Sequence, residues 1–171
     1  METEIKTTKR QDTRKESEGA EFLVLGMLLI RGLPAFKDYR NTPGYDLIVA
    51  KPRIPAITIQ VKSRWRTNAN GFIINQFDSD FVVVCLLNRG NKSGKVKEKA
   101  PEFFVFPTEV LKSVKRGDKF GKVNFSNVPN HEDYRDRWDL IKDKLEEASA
   151  GLPAEDQSIM MKMEKQEKGN C

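Results

Sequence analysis

The stretch GYDLIVAKPRIPAITIQVKSRW, residues 44–65, decides the reading of the fold. Its two apolar runs, GYDLIVAK and AITIQVKSRW, are rich in β-branched residues and are separated by the turn KPRIP, the pattern of two adjacent strands. Polar residues interrupt both runs. Asp46 opens the first, and Gln60 and Lys62 occupy alternate positions of the second. Side chains alternate along a strand, so Gln60 and Lys62 share one face while Val61 points to the other. Thirteen residues lie between Asp46 and Gln60. That separation suits antiparallel neighbours joined by a proline-containing turn, so Asp46 can approach the same spot.

Elements extend outward from this pair in both directions. AEFLVLGMLLIRGL, from Ala20 to Leu33, is apolar on nearly every face and is ended by Gly32, so it reads as a buried helix, with a start near Ser17. AFKDYR reads as a strand joined to GYDLIVAK by the turn NTPG. After Lys62, SRWRTNANG is a polar loop leading through FIINQF to DFVVVCLLN, an unbroken apolar run that suits a central strand covered on both faces. RGNKSGKVKEKAP is a long basic connection, EFFVF a further strand, and PTEVLKSVKRG a short helix with Pro107 near its start and Gly117 past its end. NHEDYRDRWDLIKDKLEE repeats apolar residues at 134, 138, 141 and 145, one face of an amphipathic helix, which assigns Tyr134 and Trp138 to the core. The expected organisation is a mobile lead-in over 1–17, an α/β domain over 18–148 and a frayed or disordered tail over 149–171, the domain being a sandwich around one mixed sheet of about five strands.

Composition narrows the class. Hydrophobic residues make up 38% of the 171, ordinary for one soluble domain, and the longest apolar run, nine residues from Phe22 to Ile30, is too short to span a bilayer. With Cys85 inside an apolar run and Cys171 last in the chain, no stabilising disulfide is expected, as in a reducing, cytoplasmic compartment. A single histidine, His131, and no cysteine cluster leave a zinc site without ligands. The formal charge of +5 is unevenly spread: residues 89–122 hold ten basic and four acidic residues, whereas 123–148 hold four and seven. Such an asymmetry fits a polyanion-binding face, and equally a solvated lysine-rich loop.

An acid, an amide carbonyl and an ammonium at one place have a chemistry. Carboxylate and carbonyl oxygens are hard ligands suited to Mg²⁺ or Mn²⁺, and an adjacent lysine can stabilise charge on a phosphate and orient or help deprotonate a water. The set suits phosphodiester hydrolysis. Each member also has a plain structural role open to it: Asp46 as a turn cap after Gly44, Gln60 as a satisfied core amide, Lys62 reaching from a strand end into water.

Here the chain resembles the restriction-endonuclease-like PD-(D/E)XK nuclease superfamily, whose signature is P-D, a spacer, then (D/E)-x-K on the next strand, preceded by a helix bearing a glutamate. The helix AEFLVLGMLLIRGL followed by GYDLIVA and ITIQVKS also resembles the first half of the archaeal Holliday-junction resolvases. The resemblance implies a restriction-endonuclease-like α/β sandwich and a metal-dependent DNA endonuclease. It makes Asp46 the principal metal ligand, Gln60 the occupant of the second acid's position, Lys62 the catalytic lysine and Glu21 the helix carboxylate. Spacing alone leaves Glu18 and Glu21 open, because they lie three apart on one helix face; the family position favours Glu21. Tyr45 stands where the signature has proline, and Gln60 replaces an acid, a variant known among methyl-directed restriction enzymes and some homing endonucleases. Arg64 and Arg66, flanking Trp65, are expected at the cleft rim on DNA phosphates, with Lys92, Lys95 and Lys97 tracking the backbone. Nucleases of this fold often pair as homodimers to cut two strands, though no surface in the sequence identifies an interface. The alternatives are a catalytically inactive nucleic-acid-binding module of the same fold, which would bind in a salt-sensitive way without cutting, and an interaction protein using its C-terminal helix and Met-rich tail.

Overall fold

The structure, a computed structural model, describes residues 13–40, 42–114 and 121–153 together with Ile159 and Lys162. Residues 1–12 of the expected 1–17 lead-in, the Gly117 stop signal and most of the tail lie outside these residues. Helix α1 spans Arg14–Leu29, so it begins before Ser17. Five strands follow in a mixed sheet: β1 Ala35–Lys37, β2 Leu47–Val49, β3 Ile57–Arg64, β5 Phe81–Leu86 and β6 Glu102–Pro107, in the spatial order β1-β2-β3-β5-β6. Only the β3–β5 pairing is parallel. This matches the expected sandwich.

Strand β5 lies inside the sheet, between β3 and β6. All six of its residues are buried, and they alternate between two cores. Phe81, Val83 and Cys85 join Ala20, Val24 and Leu28 of α1 and Ile141 and Leu145 of α3, Asp139–Ala150, on one face. Val82, Val84 and Leu86 join Phe72, Phe104, Phe106 and Val123 on the other. A β-branched run suits this position because each side chain packs on a pleated surface on both sides, at about 1.5–3 kcal/mol for each fully buried valine or leucine. Cys85 is a free thiol whose burial pushes its pKa up to about 12, which leaves it inert.

Three sequence expectations are corrected. First, α1 is buried on one face only: Ala20, Val24 and Leu28, spaced four apart, pack inward, while Phe22, Leu23 and Leu29 are exposed. Apolar composition alone could not tell this one-sided helix from a core helix. Second, Tyr134 and Trp138 do not share a helix face. A short 3₁₀ helix, His131–Tyr134, ends before Asp136, whose φ of 52° lies in the left-handed region and whose N–H donates to Phe103 O at 3.0 Å. The break sends Tyr134 against Phe106 on one core and Trp138 against Phe103 on the other. Third, a two-stranded sheet absent from the sequence reading pairs β4, Gly71–Ile73, with β7, Lys122–Asn124. Its backbones approach so closely that a Cβ at Gly71 would collide with the Val123 carbonyl. The short helix α2, Thr108–Lys112, follows β6 as expected.

The parallel β3–β5 pairing is anchored by Asp80. Its carboxylate accepts from Thr58 N and Thr58 Oγ1, each at 2.8 Å, and from Lys144 Nζ of α3 at 2.8 Å. Burial alone would push Asp80 up, but these donors outweigh it and hold the carboxyl below its usual range. A depressed folded-state pKa adds stability that is present above the unfolded value, about 3.9, and is lost as pH falls through the folded one. Asp80→Asn is therefore expected to lower stability at pH 7 by about 1 kcal/mol, discounted for the water that reaches one side of the group, and to flatten the acid limb. Urea unfolding at pH 7 and pH 3 checks this; an equal deficit at both would remove the charge-based account.

Candidate functional site

Asp46 lies one residue before β2, held by its backbone: Asp46 N–H donates to Ile59 O and Asp38 N–H donates to Asp46 O, both at 2.9 Å. Its side chain crosses to β3, where Oδ2 accepts from Val61 N at 2.7 Å. Asp46 is thus tied to the peptide between Gln60 and Lys62 and leaves Oδ1 outside that bond. It does not act as a turn cap.

Gln60 is only 4% exposed, and its Oε1 is buried with no hydrogen-bond partner among the described residues. An unpaired buried carbonyl costs about 1–3 kcal/mol, so a core amide kept only for packing would be expected to find a donor. In the metal-free protein Gln60→Leu is accordingly expected to raise stability by about 1 kcal/mol, read by urea unfolding in a chelator. A loss of stability instead would show that the amide is satisfied in solution.

Lys62 is half-buried, and burial pushes its ammonium below the usual lysine range against the upward pull of Asp46 and Glu21. These three residues therefore share one field. Glu18, exposed, acts on Lys37 but is not among the charges that shift Lys62.

Glu21 has a partner that the sequence reading missed. Lys37 Nζ of β1 donates to Glu21 Oε2 in an ion pair whose side chains are 10% and 19% exposed. Burial would lower Lys37, but the Glu21 hydrogen bond and the charges of Glu21, Glu18 and Asp46 outweigh it and raise its pKa. The ammonium also lies 5.3 Å from the Phe22 ring centroid and 5.9 Å from that of Tyr39. The signal was present in AFKDYR: Lys37 alternates with the buried Ala35, so it occupies the inward face of an edge strand.

The expected nucleic-acid contacts lie beyond Lys62. Ser63, Arg64, Trp65 and Arg66 line a cleft of about 250 Å³ with Thr13, which precedes α1, and Glu16 and Ser17 of α1. The basic connection is anchored beside it: Arg89 N donates to Trp65 O at 2.8 Å, Gly90 N to Thr67 Oγ1 at 2.8 Å, and Thr67 N to Gly90 O at 2.9 Å. Asn91 Oδ1 accepts from Lys95 N and Val96 N, turning the chain within this loop. Lys92, Lys95 and Lys97 are exposed along it, at the end of β3 that carries Arg64 and Arg66.

Among the described residues no group of three or more His, Cys, Asp and Glu side chains forms a metal cluster. The oxygen donors nominated from the sequence are two carboxylates, Asp46 and Glu21, and the amide oxygen of Gln60. The orphaned Gln60 Oε1 and the all-oxygen chemistry fit a hard cation; the engagement of Glu21 by Lys37 does not favour it.

No protein-family model and no curated protein matches the chain. Among solved structures it is similar to I-Ssp6803I, a bacterial homing endonuclease, with 25% identity over 77% of this chain and 93% of that one and a TM-score of 0.51. A second is Archaeoglobus fulgidus Hjc, a Holliday junction resolvase from an archaeal hyperthermophile, at 19% identity over 67% and 88% of the two chains with a TM-score of 0.42. The mixed five-stranded sheet with flanking helices has the restriction-endonuclease-like fold. No helix among the described residues is long and apolar enough to cross a membrane.

Proposed function

From a restriction-endonuclease-like fold with Asp46 just before its second strand and Gln60 and Lys62 on its third, we propose that this chain is a metal-dependent DNA endonuclease of the PD-(D/E)XK type in its Q-x-K form. The observation that carries the reading is the buried, unpartnered Gln60 Oε1 two residues from a half-buried lysine and opposite Asp46. The likeness to a homing endonuclease supports nuclease chemistry and DNA as the substrate.

In this reading Asp46 Oδ1, Gln60 Oε1 and Glu21 hold Mg²⁺ or Mn²⁺. Bound there, the ion supplies Lewis acidity toward phosphate and water. The chain's own residues do the rest. Asp46 is oriented by its bond from Val61 N. Lys62, eased toward neutrality by burial, orients the attacking water, accepts its proton in the neutral form, and as an ammonium offsets charge on the phosphate. Attack at phosphorus breaks one P–O ester bond and leaves a phosphate monoester and a hydroxyl end. Arg64 and Arg66 at the rim and Lys92, Lys95 and Lys97 along the loop neutralise flanking phosphates.

A second reading, an inactive DNA-binding module of the same fold, is favoured by the neutral amide at position 60 and by the Lys37 counterion on Glu21. A panel of supercoiled, linear, single-stranded and branched DNA, incubated with Mg²⁺ and then Mn²⁺, separates the two. Metal-dependent cleavage of any member is expected. Salt-sensitive binding with no cleavage of any member would establish the second reading in its place.

A further inference from the structure

Two carboxylates, Glu21 and Asp46, and two ammoniums, Lys37 and Lys62, lie in one field. These four charges balance, with the exposed Glu18 acting on Lys37 from further out, so a dication added here would meet two ammoniums in a partly dry site. Lys62 leaves Glu21 and Asp46 free to bind, since its contribution to them is field alone. Lys37 is different, because its Nζ is bonded to Glu21 Oε2, and the pair is largely closed from water.

The surroundings hold Lys37 in place. Its stem rises from the inward face of an edge strand beside Ala35, and its ammonium is flanked by the faces of Phe22, the residue after Glu21, and of Tyr39. Phe22 is 48% exposed and Tyr39 73%, so neither ring is placed by the core, and both lie against this cation. The ammonium therefore occupies Oε2, one of the two oxygens through which a cation could meet Glu21.

We propose that Lys37 is an internal counterion that contends with the divalent metal for Glu21, so that the metal site is complete only when the Lys37 ammonium has left that carboxylate. The proposal rests on the metal-dependent reading above. Lys37 acts through Glu21 and is a positioning residue. Until it is displaced, the cation has Asp46 and Gln60 but lacks the helix carboxylate, which sets a high metal requirement.

Titration of the full chain with Mn²⁺ alone, followed by calorimetry without DNA, tests this. Lys37→Met, which keeps the stem and removes the charge, is expected to bind Mn²⁺ about 10-fold more tightly than wild type. Lys37→Arg, which keeps the charge, is expected to bind as wild type does, and Asp46→Ala to lose binding. A merely structural role for Lys37 would give the opposite sign, since damage to the site loosens a metal. Melting curves report whether each variant folds; should Lys37→Met fail to fold, Lys37→Gln is read in its place by the same criterion. Wild-type or weaker affinity in the folded neutral variant would overturn the proposal while leaving the metal site standing. No binding by wild type or any folded variant would remove the metal-dependent reading and this proposal together.

Discussion

Lys62→Ala is expected to reduce DNA cleavage by about 10²–10⁴-fold, the range that a positioned proton-transfer or charge-stabilising group contributes. The fold should survive the change. Burial already disfavours the Lys62 ammonium, so removing it relieves a desolvation cost and leaves Asp46 tied to Val61 N through the backbone. DNA affinity should fall only slightly, because a single charge is lost from a surface that also presents Arg64, Arg66 and the lysines of the 89–101 connection. The measurement is initial cleavage rate beside a binding isotherm and a melting curve on the same preparations. A folded variant that cuts at the wild-type rate would sink the assignment of Lys62, and with it the reaction proposed for the site.

The second large effect is expected from Asp46→Asn. The amide keeps the shape of the aspartate and an oxygen able to accept from Val61 N, so the link between the start of β2 and β3 is retained. What disappears is the charge. Ligand charge is what tunes the affinity of oxygen sites for hard cations over decades, so Mn²⁺ binding should weaken on the order of 10²-fold, with cleavage falling in parallel. Lys62 would also lose the stronger of the two carboxylate pulls that offset its burial. Calorimetry with Mn²⁺ and cleavage across a metal concentration series check both parts. If high metal restores the rate, the loss is one of affinity; wild-type affinity in the variant would mean that Asp46 is no ligand.

Much of the candidate site was legible because strands write their geometry into sequence with period two. Gln60 and Lys62 had to share a face once ITIQVKS was read as a strand, and the turn KPRIP brought Asp46 across from them; the register places Leu47 opposite Ile59. Glu21 was legible only with the family resemblance, because spacing alone left Glu18 and Glu21 open. The helix period misled where the chain broke it. Apolar residues at 134, 138, 141 and 145 matched one face, yet Asp136 turns into the left-handed region and divides Tyr134 from Trp138. No spacing rule reports such a break in advance, because it is compensated by a bond to Phe103 O on a distant strand.

The amino-acid sequence alone determined the strands at the centre of this protein, the shared face of Gln60 and Lys62 and the acid that opposes them, since these follow from local periodicity and a short turn. Only the tertiary structure decided that α1 buries one face and exposes Phe22, that Gly71–Ile73 pairs with Lys122–Asn124, that Gln60 Oε1 is left without a donor, and that Lys37 reaches Glu21. The physical reason is the same for each. Burial and pairing are set by which surfaces meet after the chain has folded back on itself, and residues such as Lys37 and Glu21, sixteen positions apart, share a field only because a helix and an edge strand pack together.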